Sequence, residues 1–205
     1  MNTVAPEGLS FKAQMRRARE GAIVGTVCRL MADKGFDAMT VDEVATAVGI
    51  AKPSLYKHFP SKEDLAAAAM AHVLQRAGEY VAEVPLSLPP LKRLHAVLRW
   101  AAQVHLAGDL PILPGPRSPL RATLSVHPAY LAALRSVSAP LEGWIREAQA
   151  DGSLNAALPP QAVLYALYAR ACDPLISLLQ GTGQYSDDEI LDLALSACFD
   201  GLRAR

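Results

Sequence analysis

Apolar residues recur at helical spacing along most of the chain. From Arg16 to Lys34 the positions Ile23, Val27, Leu30, Met31 and Lys34 share one face. Lys34-Gly35 closes that run as a basic last turn with a glycine stop. Thr40-Val41-Asp42-Glu43 has the spacing of a capping box and opens a short second helix, which Gly49 ends. Pro53 suits the first turn of a third helix, where its fixed φ and missing N–H cost nothing; that helix ends near Phe59-Pro60. Ser61-Lys62-Glu63-Asp64 starts a fourth helix running to about Glu83, before Pro85. Prolines then punctuate helices predicted near 90–107, 117–126, 128–150 and 160–180. A last helix over 187–203 opens at Ser186 with three acids in its first turn. Pro140 and Pro174 fall inside predicted helices and should kink or break them. The segment 108–119, with four prolines, reads as an ordered loop.

Composition points the same way. The 205 residues include 36 Ala and 29 Leu, both strong helix formers, against 26 Val, Ile and Thr together. With 51 % hydrophobic and 20 % charged residues the chain can bury a core. The expectation is an all-α protein: an arm over 1–15, a three-helix unit over 16–62, and a larger six-helix unit over 63–205.

The formal net charge of zero, taken alone, argues against a nucleic-acid partner. It conceals a sorting. Lys12 to Lys62 holds nine basic residues and five acids, an excess of +4, and the residues from Glu63 onward carry −3. Three dispersed cysteines, Cys28, Cys172 and Cys198, suit neither a disulfide framework nor a zinc cluster. No metal and no cofactor is expected. Without an apolar leader-like segment or a clean membrane-length run, a soluble cytoplasmic protein with no membrane partner is the expectation.

The segment Val41–Phe59 meets the demands of a helix-turn-helix. Ala45 is small enough where the helices touch, Gly49 tolerates the turn, and Val44, Val48, Ile50 and Leu55 seal a miniature core. The second helix would be the reader. Lys52, Ser54 and Lys57 face outward with Pro53 at the tip, as suits a helix entering the major groove by its N-terminal end. Lysine can donate to guanine O6 and N7, and serine serves either base type. Tyr56, His58 and Lys62 can reach flanking phosphates.

The stretch Thr40 to Leu65, with its Leu-Tyr-x-His-Phe-x-Ser-Lys core, resembles the DNA-binding signature of the TetR family of transcriptional regulators. The close match covers about residues 16–72. What the resemblance implies is a homodimer whose N-terminal domain binds DNA and whose larger domain holds a small-molecule pocket and the dimer interface. By position, Lys52, Pro53 and Ser54 would face bases, and Thr40, Tyr56, His58 and Lys62 would hold phosphates. Ala51 departs from the pattern, standing where the family often has a capping Ser or Thr; the third helix would then start loosely and order on DNA.

The predicted 160–180 helix is apolar around nearly its whole circumference, which demands burial on two sides. A second subunit resolves that demand. Leu175 and Leu179, with Leu193, Ala194, Ala197 and Cys198 of the last helix, are the candidate interface residues. Their small members allow close helix approach in a four-helix contact. A symmetric dimer would place two reading helices on successive major grooves of a palindromic operator. For a pocket the candidates are Trp100, Gln103, His105, Tyr130, Trp144, Tyr165 and Tyr168, and the scarcity of charge nearby favours an apolar or aromatic effector. Two rivals stay open: a structural DNA-binding protein without an effector, and an all-helical enzyme. Against the enzyme stands the lack of any phosphate loop, nucleophile elbow or chelating His pair.

Overall fold

The computed structural model describes residues 10–111, 114–115 and 117–200. Every regular element among them is a helix: α1 (Phe11–Ala38), α2 (Val41–Val48), α3 (Lys52–Tyr56), α4 (Lys62–Glu83), α5 (Pro90–Leu106), α6 (Pro119–Leu124), α7 (Pro128–Ala150), α8 (Pro160–Ala171), α9 (Pro174–Thr182) and α10 (Asp187–Phe199). The protein is all-α.

Local chemistry sets most boundaries. Ser10 caps α1 by accepting the Ala13 N–H, so helix begins inside the stretch expected to be an arm. Gly35, at φ 77°, breaks the path of α1 before a final turn ends at Ala38. Thr40 Oγ1 accepts the Glu43 N–H at 3.2 Å, and the Glu43 carboxylate accepts the Thr40 N–H at 2.9 Å, which completes the capping box of α2. Ser61 accepts the Asp64 N–H at 3.0 Å and starts α4.

The two prolines expected to disturb helices behave differently. The stretch 160–180 is two helices, not one: α8 ends at Ala171, Asp173 accepts the Leu175 N–H at 2.9 Å, and Pro174 takes the first position of α9. At Pro140 the expected break does not occur, and α7 continues to Ala150. Val137 and Leu141 flank that proline and are almost wholly buried. Burying two such side chains contributes about 1.5–3 kcal/mol each, enough to offset a proline penalty of about 3 kcal/mol.

The helices enclose two main cores. One joins Ile23, Val27 and Met31 of α1, Val44 of α2 and Leu55 of α3 to Leu65 and Met70 of α4 and to Leu120 and Leu124 of α6. The other joins Val81 of α4 to Leu94 and Leu98 of α5, Val137, Leu141 and Ile145 of α7, Leu167 of α8, and Leu195 and Phe199 of α10. Helix α4 belongs to both, its first half in one core and its last turns in the other. It crosses α7 closely at Gly78, where a Cβ would stand 3.1 Å from Ser136 Oγ. Arg93 fixes the link after α4: Nε donates to Leu88 O (2.8 Å), Nη2 to Leu86 O (2.7 Å) and Nη1 to Glu147 (2.8 Å).

Candidate nucleic-acid interface and ligand cavity

Helices α2 and α3 are joined by a turn in which Gly49 adopts φ 73° and the Ile50 N–H donates to Ala45 O at 3.0 Å. Five residues cannot sustain a helix alone. What seats α3 is Leu55, its one buried residue, 1 % exposed in the core beneath. The remaining positions follow from that anchor: Lys52, Pro53, Tyr56 and Lys57 are exposed and Ser54 is half-buried. Ala51 supplies no side-chain cap, yet its carbonyl accepts the Ser54 N–H at 2.8 Å and the helix is formed from Lys52 onward.

Each predicted phosphate-binding side chain is held by a partner or left open to solvent. Thr40 is engaged with Glu43. His58 Nδ1 lies 3.0 Å from Glu20, which also accepts Arg16 Nε at 2.9 Å. Lys62 Nζ donates to Asp37 O at 3.2 Å and sits 4.4 Å over the Phe36 ring. Lys52 pairs with Asp42 at 2.9 Å, and that hydrogen bond raises its pKa. An exposed pair of this kind is worth little, so Lys52 can exchange Asp42 for another acceptor. Tyr56 and Lys57 make no side-chain hydrogen bond among the described residues. The longer α1 adds Lys12, which lines a shallow groove with Arg16, Arg19 and His58. Ser10 directly before Phe11 is the local signal for that extension.

The Lys34 hydrogen bond, with the Thr40 bonds behind it, pushes the Glu43 carboxyl down to about 2 from 4.5. Glu20 is lowered too, first by its hydrogen bond to Arg16 and then by His58. A carboxyl with a depressed folded pKa binds fewer protons folded than unfolded, so its stabilisation is full above about pH 4.5 and is lost as the pH falls toward 2. Thermal melts are therefore expected to show Tm dropping steeply below about pH 5, with a shallower drop in Glu43→Gln. Parallel curves for the two proteins would contradict this assignment.

A cavity of about 210 Å³ lies between α4, α5, α7 and α8, lined also by Leu110 and Pro111. Trp100, Tyr130 and Tyr168 line it with aliphatic side chains and Cys172; among the described residues no Lys, Arg, His, Asp or Glu does. Burial raises the pKa of both tyrosines and pushes the Cys172 thiol up to about 11. Cys28 and Cys198 are pushed up to about 11 in the same way, so all three thiols stay protonated and unreactive at neutral pH. Four pocket candidates lie elsewhere. Trp144 is 5 % exposed in the core under Arg93 and does not line the cavity. Tyr165 points outward at 59 % exposure, where its hydroxyl accepts from Gln161. Gln103 is on the exposed face of α5. His105 is held between Ala171 O (3.4 Å) and Ser177 Oγ (3.0 Å). Leu110, Pro111 and the aliphatic wall escape sequence reasoning, because nothing local distinguishes a lining leucine from a core leucine.

Helices α8, α9 and α10 leave apolar side chains on the surface: Tyr165, Leu178 at 68 % exposure, Leu193 at 44 %, and Ala197. Leu175, Leu179 and Ala194 are half-buried beside them. Cys198 is a correction: at 5 % exposure it packs inside its own subunit and cannot lie on an outer face. The stretch 160–182 is long and apolar enough to cross a membrane, but it is broken at Cys172–Asp173. Among the described residues no cluster of three or more His, Cys, Asp or Glu is arranged to hold a metal.

Residues 23–69 match the family model of bacterial regulatory proteins, tetR family. The HTH-type transcriptional regulator EthR of Mycolicibacterium smegmatis is 35 % identical over 75 residues, which are 37 % of this chain and 35 % of EthR. The chain thus spans about a third of that relative's length in the match. The crystal structure of AibR in complex with isovaleryl coenzyme A and operator DNA is similar at TM-score 0.61 and 21 % identity, over 88 % of this chain and 98 % of that one. The fatty acid degradation regulator FadR from Bacillus halodurans is similar at TM-score 0.67 and 15 % identity over the whole of both chains. At these identities the structural likeness speaks to the fold.

Proposed function

We propose that this chain, which belongs through its N-terminal domain to the tetR family of bacterial regulatory proteins, is a sequence-specific DNA-binding transcriptional regulator. It acts as a homodimeric repressor released from a palindromic operator by a small apolar or aromatic effector. The observation that carries the reading is the seating of α3: Leu55 is buried beneath while Lys52, Pro53 and Lys57 stand exposed around the helix, with Ser54 half-buried among them. Under this reading Lys52, Pro53, Ser54 and Lys57 meet base edges, and Thr40, Tyr56, His58 and Lys62 meet phosphates. The +4 segment from Lys12 to Lys62 supplies the field that attracts the duplex. The exposed apolar face of α8 and α10 supports a second copy packed there. No catalytic step is assigned.

Control follows as a population shift. Met70 and Val73 of α4 line the cavity and also belong to the core that seats the DNA-binding helices, and Tyr130 lines one and packs on the other. A ligand that moves them biases the placement of α3, and DNA affinity changes by the ligand's preference between the two poses. Salt dependence tests the DNA-facing lysines. Lys62→Ala should weaken operator binding and flatten the slope of log K against log salt by about 0.9 for the phosphate that is no longer neutralised, whereas Lys57→Ala should weaken binding and relax specificity at the base pair it meets. An unchanged slope in Lys62→Ala and unchanged specificity in Lys57→Ala would refute their roles.

A further inference from the structure

We propose that the cavity is built for an uncharged aromatic or alicyclic alcohol, a phenol being the simplest case, and that the Tyr168 and Tyr130 hydroxyls read the ligand's single OH group. The biological meaning of this ligand rests on the effector reading above, but its binding can be measured without DNA.

Size comes first. An apolar cavity of about 150 Å³ accommodates benzene, so about 210 Å³ admits a ligand of roughly ten to fifteen non-hydrogen atoms. That is too small to enclose a whole coenzyme A thioester. Charge comes second. Among the described residues the wall offers no cation, and burial is the main cause that raises both tyrosines, which marks an apolar site where an unpaired carboxylate is strongly disfavoured. Arg121, which bears electrostatically on Tyr130, does not line the cavity.

The hydrogen-bond polarity is fixed by Ser138. Its hydroxyl has one proton, which it donates to Leu134 O at 2.7 Å. The 2.7 Å contact between Ser138 Oγ and Tyr168 Oη therefore has Tyr168 donating. The Tyr168 oxygen is left with a lone pair and wants a donor. Tyr130 makes no side-chain hydrogen bond among the described residues, so its proton wants an acceptor. Both phenols line the same cavity. A ligand hydroxyl satisfies both at once, donating to Tyr168 and accepting from Tyr130. A carboxylate, ketone or ester can only accept. The Trp100 indole, stacked on Tyr80 at 5.5 Å, gives a flat wall fixed for a ring.

The test is calorimetry on the full chain with 2-naphthol, naphthalene, 2-naphthoate and isovaleryl coenzyme A. We expect 2-naphthol to bind roughly tenfold more tightly than naphthalene, the two anions to bind more weakly than either, and Tyr168→Phe to erase the naphthol advantage while leaving naphthalene affinity unchanged. Tyr130→Phe should reduce the same advantage. The proposal is overturned by an anion binding as tightly as 2-naphthol, by an advantage that survives in both variants, or by binding of none of the four. Should 2-naphthol bind as expected but leave DNA affinity unaltered, the ligand class stands and the effector reading fails.

Discussion

Leu55→Ala is expected to cost about 2–5 kcal/mol of stability, the range for emptying a buried leucine site, and to abolish DNA binding with it. Against a typical domain stability of about 5–15 kcal/mol, that is a large fraction. The functional loss should exceed the stability loss. Helix α3 has five residues, ends in no glycine and starts on an uncapped alanine, so nothing local keeps it folded once its anchor is gone. Leu55→Met preserves volume and should cost less than about 1.5 kcal/mol while keeping DNA affinity. Denaturant midpoints and DNA titrations on the two variants provide the check. Unchanged stability in Leu55→Ala would mean that α3 is not seated by this residue.

Leu193→Arg is the second large effect. Leu193 is 44 % exposed on α10, so the substitution should leave the subunit folded. Around the two-fold axis of a dimer it would bring two like charges onto an apolar face already carrying Tyr165 and Ala197. The predicted outcome is a monomer in sedimentation at micromolar concentration. Operator affinity should fall by about a hundredfold or more, since linking two half-site interactions raises avidity by roughly that much through effective concentration. A variant that remains dimeric would move the interface away from α10.

The legible features are those with a local cause. Thr40 and Glu43, Gly49, Ser61 and Ser186 each set a helix end through a hydrogen bond or a positive φ a few residues away, and each end lies where the sequence pattern places it. Features decided by distant packing are not legible. Pro140 is carried inside α7 by buried neighbours, whereas Pro174 follows the local cap Asp173 and begins a new helix. Helices α8 and α10 are apolar on most sides, so periodicity cannot say that Cys198 faces inward while Leu193 faces outward. The pocket is half readable for the same reason. Trp144 and Trp100 are both aromatic and helical, yet Arg93 covers the first and the cavity meets the second.

The N-terminal unit is more legible than the rest because a helix-turn-helix is specified within about 20 residues. The zero net charge illustrates how that information can be hidden in a whole-chain sum. The basic excess belongs to the segment that forms α1 to α3 and the start of α4, and the acidic excess to the rest of α4, the residues beyond it being balanced.

Sequence-specific DNA binding is put to the test by selecting bound DNA from a random duplex library with the purified 205-residue chain. Enrichment of one inverted repeat is expected, its half-sites about 34–36 Å apart or a multiple of it, and abolished when the selection is repeated with Leu55→Ala. Recovery of no common sequence, or of the same sequence with Leu55→Ala, would contradict it.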